Sequence, residues 1–244
     1  MKMIYKNSFE SFALRAESLR FGGVFPRAVI TGRQSGEIFV DDDAVLIRHR
    51  CGFAWAAGQL GEAELNEIPQ LRESIGGRIL LFTDDAETIR HFEACGTAIG
   101  RRLFFEYSGG TAGADIPGGY SVREIDSELF GILEGRVAPR LFWSDAGEFL
   151  RSGRGFCIMH GNEPAAWAFT SAADGREADL GVETSEDHRG KGLAYAAVWL
   201  TVTSVLAGGM KPVWACDSGN AASRGLARKS GFEFKEECRV VRLV

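Results

Sequence analysis

A short basic loop that contains two glycines constrains this chain more than any other stretch of its sequence. The loop, DHRGKGLA over 187–194, follows an alternating apolar segment that predicts a strand over 178–184, and it opens an apolar pattern that predicts a helix over 193–206. Glycine lets the backbone approach an anion closely, and the first N–H groups of a helix have no partner inside the helix. The helix dipole and the charges of Arg189 and Lys191 add positive potential there. The sequence therefore predicts a phosphate cradle, as a local basic feature of a chain whose net charge is -5.

The spacing of the glycines excludes two other phosphate-binding loops. The chain has no G-x-x-x-x-G-K-[ST], which excludes a P-loop. It also has no G-x-G-x-x-G, because the second glycine is followed by Leu193, Ala194 and Tyr195, which disfavours a dinucleotide fingerprint. Taken alone, the motif also fits an ordinary strand-to-helix turn with solvated basic side chains.

The residues after this helix predict a defined order of elements. Gly208 and Gly209 favour the end of the helix, and a short buried strand is predicted over 212–216. A second helix is predicted from an N-cap at Asn220 to about residue 229, because asparagine accepts a hydrogen bond from the first turn. Gly231 suits the left-handed position after that helix, and a final strand is predicted over 232–244.

Two motifs in this order resemble those of the GCN5-related N-acetyltransferases (GNATs), which bind acyl-coenzyme A. The first is R-G-x-G-[LI]-A, and the second is N-x-x-[SA]-x-x-L-x-x-K-x-G-F, which stands here as Asn220, Ser223, Leu226, Lys229, Gly231 and Phe232. Two predicted strands upstream, over 155–160 and 165–170, extend the resemblance to about 119–244. Within this range the amino-acid sequence resembles the GNAT branch that includes the zwittermicin A resistance acetyltransferase.

The resemblance implies an α/β (α+β) GNAT fold, with a mixed, mostly antiparallel twisted sheet flanked by helices. It also implies acetyl-CoA as co-substrate, no metal, and a splayed strand pair along which the pantetheine arm lies. The coenzyme-binding residues that it implies are Val182, Thr184, Arg189, Gly190, Lys191, Gly192, Leu193, Ala194, Asn220 and Ser223.

The chemistry of amine acylation indicates which further groups to look for. A protonated amine must lose a proton before it attacks a thioester, and a carboxylate can accept that proton. Glu183 is the candidate base, since it alternates with the apolar residues Leu180 and Val182 and so points to the other face of the strand. A solvent-exposed strand carboxylate has the same pattern. Asp179, on the same face as Glu183, is a weaker alternative. Many GNATs protonate the leaving thiolate with a tyrosine at the position of Ala227, so Ser223 or water is the candidate acid here.

Composition and cysteine usage indicate a cytoplasmic enzyme. Of the 244 residues, 45% are hydrophobic and 25% are charged, which is ordinary for a globular protein. No apolar run is long enough to span a membrane, and residues 1–12 lack the apolar region of a signal peptide. Five scattered cysteines without C-x-x-C argue against a disulfide framework or zinc site, and Cys216 is expected to pack rather than act as a nucleophile. The four histidines are expected to be surface or packing residues.

A glycine-rich stretch over 108–119 predicts a boundary between two domains, 1–110 and 119–244. The pattern of Asp85, Thr88 and Gly96 matches that of Asn220, Ser223 and Gly231, which suggests that the first half is a degenerate GNAT-like copy. Generic capping signals explain the match equally well. Gly58 to Gly61 carries no basic residue where the loop would lie, so no coenzyme is expected there.

Further elements are predicted in this half as strands over 37–41, 44–49, 78–83 and 101–107 and helices over 62–75 and 85–95.

Two functional classes follow from these observations. The first is an N-acetyltransferase that moves the acetyl group of acetyl-CoA to a primary amine, most simply on a small molecule, with neither nucleic acid nor membrane as partner. The second is an acyl-CoA-binding sensor or regulatory module without catalysis. The acceptor amine cannot be read from the sequence.

Overall fold

The computed structural model describes residues 1–4, 19–41, 44–110 and 113–244. The strands are β1 (Lys2–Ile4), β2 (Gly36–Val40), β3 (Ala44–His49), β4 (Phe53–Gly58), β5 (Ile79–Thr83), β6 (Ala98–Tyr107), β7 (Tyr120–Glu124), β8 (Gly155–His160), β9 (Glu163–Ala173), β10 (Glu177–Thr184), β11 (Lys211–Asp217) and β12 (Phe232–Leu243). The α-helices are α1 (Val24–Ile30), α2 (Glu62–Ile75), α3 (Ala86–Ala94), α4 (Ser127–Ile132), α5 (Ala146–Ser152), α6 (Leu193–Ala207) and α7 (Ala221–Lys229).

The chain divides into two compact units, and the division differs from the one expected at the glycine-rich stretch. Unit 1 contains Met1–Leu103 and Glu236–Val244, and unit 2 contains Phe104–Lys235. The division therefore lies inside β6 and inside β12, so each of these strands contributes to both units. Residues 111 and 112 of the expected linker, and most of the N-terminal stretch inspected for a signal peptide, lie outside the described residues.

In unit 1 the strand order is β1-β2-β3-β4-β5-β12-β6. Strands β2, β3 and β4 form an antiparallel meander, α2 then crosses over, and β5 pairs with β4 in parallel. Every residue of β3 is buried: its first four residues form the apolar run expected of a buried strand, and Arg48 and His49 are buried as well. The end of β12 pairs antiparallel with β5, and Val241 joins the core formed by residues such as Leu81 and Phe92. The last strand of the chain therefore completes the sheet of the first unit.

In unit 2 the strand order is β12-β6-β11-β10-β9-β8-β7. Strands β7 to β10 are antiparallel neighbours, and α6 connects β10 to the parallel strand β11. Helix α6 packs on the sheet, where Thr201 Oγ1 donates a 3.0 Å hydrogen bond to the carbonyl of Ala168. These features confirm the prediction of a mixed, mostly antiparallel sheet flanked by helices.

The two units repeat one order of elements. Unit 1 runs β2-β3-β4-α2-β5-α3, and unit 2 runs β8-β9-β10-α6-β11-α7. Asp85 caps α3 by accepting from the Thr88 N–H at 2.7 Å, and Asn220 caps α7 by accepting from the Ser223 N–H at 3.0 Å. Each of the two helices is followed by a glycine with positive φ, Gly96 at 73° and Gly231 at 80°. The matching motifs therefore occupy matching places.

No helix among the described residues is long and apolar enough to cross a membrane.

Candidate active site

The parallel strands β10 and β11 separate part of the way along their length. The two strands pair from Glu177↔Lys211 to Asp179↔Val213. Among the described residues of these strands, no residue pair beyond Asp179↔Val213 links β10 to β11. Beyond that point β10 continues to Thr184 and pairs with β9 on its other edge. Residues 180–184 of β10 and 214–217 of β11 therefore border a cleft between the two strands. The predicted coenzyme residues Val182 and Thr184 lie half-buried on the β10 wall.

The loop after β10 has the shape that its glycines predict. A turn of 3-10 helix over Glu186–His188 leads to Arg189, and Gly190 and Gly192 follow with φ of 77° and 79°. A Cβ on either glycine would meet no heavy atom within 4 Å, so open space surrounds both. Gly192 is the N-cap residue of α6, and the first turn carries neither a side-chain cap nor an acidic residue. The first N–H groups of α6 are therefore available to an anion.

The two cations of the loop are exposed and weakly engaged. The Arg189 guanidinium lies 3.6 Å from the carboxylate of Glu186, and a surface ion pair of this kind contributes little free energy. Lys191 Nζ donates to the carbonyl of Asp187 at 3.0 Å. Leu193 is buried and Ala194 is half-buried, so both anchor the helix behind the loop. An incoming phosphate can recruit both cations at small cost.

A cluster of aromatic rings that the sequence did not predict supports the start of this loop. Tyr120 Oη and His188 Nδ1 form a 2.9 Å hydrogen bond, and the His160 ring lies 5.2 Å from the His188 ring. Tyr120 and His160 are cross-strand partners of β7 and β8. No local pattern could have revealed this cluster, because its members come from three separate elements.

The carboxylate of Glu183 contacts the backbone of a loop between α4 and α5. Its Oε1 accepts from the Arg136 N–H at 3.2 Å, and its Oε2 accepts from the Val137 N–H at 2.6 Å. Glu183 is half-buried, so it is not merely a solvated strand carboxylate. An ionised carboxylate has about four acceptor sites, and two remain for other donors.

Asp179 is placed differently from Glu183. It is 4% exposed, and Ser171 Oγ donates to its Oδ1 at 2.6 Å. It also occupies the last position at which β10 still pairs with β11. The weaker candidate base therefore lies before the cleft opens, in the closed part of the sheet.

Ser223 lies against β11, on the other side of the cleft from β10. The Trp214 indole N–H donates to Ser223 Oγ at 3.1 Å, and Trp214 is the first residue of β11 beyond the paired segment. The side chain of Asn220 serves as the cap of α7. Ala227, which stands where many relatives carry tyrosine, is fully buried. The hydrogen bond between Trp214 and Ser223 was not predicted from the sequence.

The remaining reactive side chains do not form a second centre. All five cysteines are free, and Cys216 is buried. Burial raises the pKa of Cys157 and of Cys238 to about 12, which keeps both thiols protonated at neutral pH. In the ranges that the structure describes, no group of three or more His, Cys, Asp or Glu side chains is arranged to hold a metal ion.

Comparison with known proteins places this site in a family. The sequence profile described as GNAT acetyltransferase matches residues 24–241. The chain belongs to the GNAT acetyltransferase family. It is 32% identical over 120 residues to the uncharacterized N-acetyltransferase YdfB of Bacillus subtilis (strain 168), a match that spans 48% of this chain and only 46% of that relative.

Solved structures share the fold along nearly the whole chain. A GCN5-related N-acetyltransferase-like protein from Streptococcus suis 89/1591 is similar with a TM-score of 0.77 at 22% identity, over 97% of this chain and 98% of that one. A tandem GNAT protein from the clavulanic acid biosynthesis pathway is similar with a TM-score of 0.66 at 14% identity, over 100% of this chain and 98% of that one. The GNAT fold predicted from the two motifs is confirmed, and members of this family use acetyl-CoA as co-substrate.

Proposed function

We propose that this GNAT moves the acetyl group of acetyl-CoA to a primary amine of a small molecule by direct attack on the thioester. The observation that carries the proposal is the open cradle at the N-terminus of α6, which begins where the β10 wall of the cleft ends. An anion cradle beside a split sheet suits a ligand with phosphates at one end and a reactive thioester at the other.

Each part of the coenzyme then has a place along the cleft. The pantetheine arm lies along the free edge of β10 at Val182 and Thr184 and pairs with it as an added strand would. The pyrophosphate lies over Gly190–Ala194, with Arg189 and Lys191 as its cations. Asn220 and Ser223 line the β11 side. Backbone N–H groups at the free edge of β10 stabilise the oxyanion that forms when the amine attacks the carbonyl carbon.

Two proton transfers complete the reaction. Glu183 accepts a proton from the substrate ammonium, directly or through water, before the neutral amine attacks, because its carboxylate keeps acceptor sites for other donors. Ser223 relays the second proton: its hydroxyl protonates the departing thiolate and takes up the proton that the nitrogen loses as the amide forms. The hydrogen bond from Trp214 occupies one lone pair of Ser223 Oγ and so directs the hydroxyl hydrogen elsewhere.

Unit 1 is, under this proposal, a degenerate copy without coenzyme. The place that corresponds to the basic loop is Gln59–Gly61, and it opens a helix whose first turn carries Glu62 and Glu64. These carboxylates, with Asp41, Glu87 and His91, border a cavity of about 630 Å³. Pyrophosphate would meet carboxylates where unit 2 offers cations, so Coulomb repulsion disfavours it.

A small-molecule acceptor agrees with the resemblance to the zwittermicin A resistance branch, and a cytoplasmic location agrees with a chain whose five cysteines are all free. The second candidate, a binding module without chemistry, is favoured by the buried Ala227 in place of the usual tyrosine. Both candidates bind acetyl-CoA, so turnover must separate them.

The first experiment combines calorimetry with thiol release. Gly190→Val should abolish acetyl-CoA binding, because a side chain would enter the pyrophosphate path. Gly209→Val is the matched control, since Gly209 has a φ of 75° and equally open surroundings at the other end of α6. Equal binding by both variants would remove the proposed coenzyme site. Free-thiol release over a panel of amines then tests for transfer, and a protein that binds but releases no thiol with any amine is the sensor.

A further inference from the structure

One residue of the segment 134–138 is held through both of its backbone polar groups by side chains of the sheet of unit 2. The Val137 N–H donates to Glu183 Oε2 at 2.6 Å, and the Val137 carbonyl accepts from the Trp167 indole N–H at 2.8 Å. Glu183 and Trp167 are direct cross-strand partners of β10 and β9. Their side chains therefore leave the sheet on the same face and reach the backbone of the same residue.

The packing around Val137 leaves little room for the segment to move. Gly135 has a φ of 137°, and a Cβ there would lie 2.5 Å from Glu183 Oε2. A Cβ on Gly181 would lie 3.0 Å from Val137 Cγ1. Two glycines thus allow the segment and the strand to approach each other closely. The hydrogen bonds with Glu183 and Trp167 act on main-chain atoms, so they fix the path of the segment whatever side chains the segment carries.

The hydrogen bonds that hold the segment 134–138 lie beside the cleft. Glu183 belongs to the part of β10 that has left β11, so the segment 134–138 lies at the open part of the site. The residues proposed for the phosphates lie farther along the chain, in the loop over 189–194. Movement of the segment should therefore alter the space beside the reacting carbonyl and leave the phosphate cradle intact.

We propose that Glu183 and Trp167 are positioning residues that clip the segment 134–138 in place as a wall of the acceptor side of the cleft. The proposal rests on the proposed function, because it assigns the acceptor to the space that this wall borders. It gives Glu183 a second task beside proton transfer, and it gives Trp167 a task that depends on its N–H group rather than on its bulk.

Trp167→Phe tests the clip, with Trp143→Phe as the matched control. Trp143 is also a buried tryptophan of unit 2 whose indole N–H donates to a backbone carbonyl, that of Thr170, at 2.7 Å. The measurements are hydrogen exchange of the Arg136 and Val137 amides, calorimetry with coenzyme A, and the KM and kcat of the best amine from the panel with acetyl-CoA.

Trp167→Phe should speed exchange of the two amides and raise the KM of the amine, each by about fivefold, the factor that one neutral hydrogen bond is worth. Its affinity for coenzyme A and the shape of its kcat–pH profile should stay as in the parent, and Trp143→Phe should match the parent in all of these. Unchanged exchange, or an equal change in the control, overturns the clip. Faster exchange with an unchanged KM overturns its role toward the acceptor. If the parent protein acetylates no amine, the proposed function fails and the acceptor role fails with it, while exchange still decides whether the clip exists.

Discussion

His49 makes the stability of unit 1 depend on pH in a calculable way. Its ring is fully buried, and burial, reinforced by the nearby charges of Arg50 and Arg48, lowers its pKa from 6.5 to about 3. Nδ1 accepts from the Cys51 N–H at 3.2 Å, while Nε2 is buried without a hydrogen-bond partner and the ring meets Phe25 edge-on. The native state therefore holds neutral imidazole, which the unfolded chain protonates below about pH 6.5.

The sign and size of the effect follow from linkage. Because the pKa is lower in the folded state, the unfolded chain binds the proton first, and stability is lost as pH falls from about 6.5 toward about 3. Between pH 7.5 and pH 4.5 these two pKa values correspond to a loss of roughly 3 kcal/mol. Glutamine at this position keeps a hydrogen-bond acceptor and does not titrate.

Urea denaturation of the parent and of His49→Gln, followed by circular dichroism at both pH values, measures this contribution. Carboxylates contribute equally to both proteins, so the difference between the two pH slopes isolates the histidine. We expect the variant to lose roughly 3 kcal/mol less than the parent between these pH values. Equal slopes would show that His49 is protonated in the native state or hydrated there, and the reasoning from burial would be wrong.

Two further predictions concern Ser223, the proposed acid, and β12, the strand that contributes to both units. Ser223→Ala should lower kcat by about tenfold or more, and Trp214→Phe should lower it less in the same direction, because a thiolate of pKa near ~8.5 needs only modest help to leave. Steady-state kinetics measures kcat in both variants, and calorimetry with acetyl-CoA measures any loss of coenzyme binding separately. An unchanged kcat in Ser223→Ala assigns the proton to water. Val241→Ala should destabilise the protein by about 2 kcal/mol through the core of unit 1, whereas Phe234→Ala, at a side chain 53% exposed on the same strand, should change the free energy of unfolding far less.

The sequence predicted the parts of the site that are local in the chain. Gly190 and Gly192, the cap at Asn220 and the left-handed Gly231 all express backbone requirements of single turns, and each stands where its motif placed it. The paired helix caps likewise marked a repeated order of elements. The residues Phe53–Gly58 form β4, which went unpredicted although a short apolar run there carried the signal.

The contacts that shape the cleft could not be predicted from the sequence. The Glu183 carboxylate meets amides 46 and 47 residues away, and Tyr120 meets a histidine 68 residues away. Such pairs follow from strand register and loop path, which no short pattern encodes. The pairing of the end of β12 with β5 of unit 1 could not be predicted for a similar reason. The sequence of a long final strand is the same whichever sheet the end of the strand joins.

Glu183→Gln separates proton transfer from positioning, because both tasks are proposed for its carboxylate. Glutamine offers one oxygen where Arg136 and Val137 need two, so one loop amide must face an NH₂ group. This conflict should raise the KM of the amine at every pH, as we expect of Trp167→Phe. Loss of the base acts on kcat instead. An amine of pKa near ~10 is about one part in a thousand neutral at pH 7, so the variant should lose about 10²–10⁴-fold in kcat there. The loss should shrink toward pH 9.5, where the amine is already largely deprotonated. A kcat loss of the same size at both pH values would leave Glu183 with the clip alone, and the proton would then pass to water without a carboxylate.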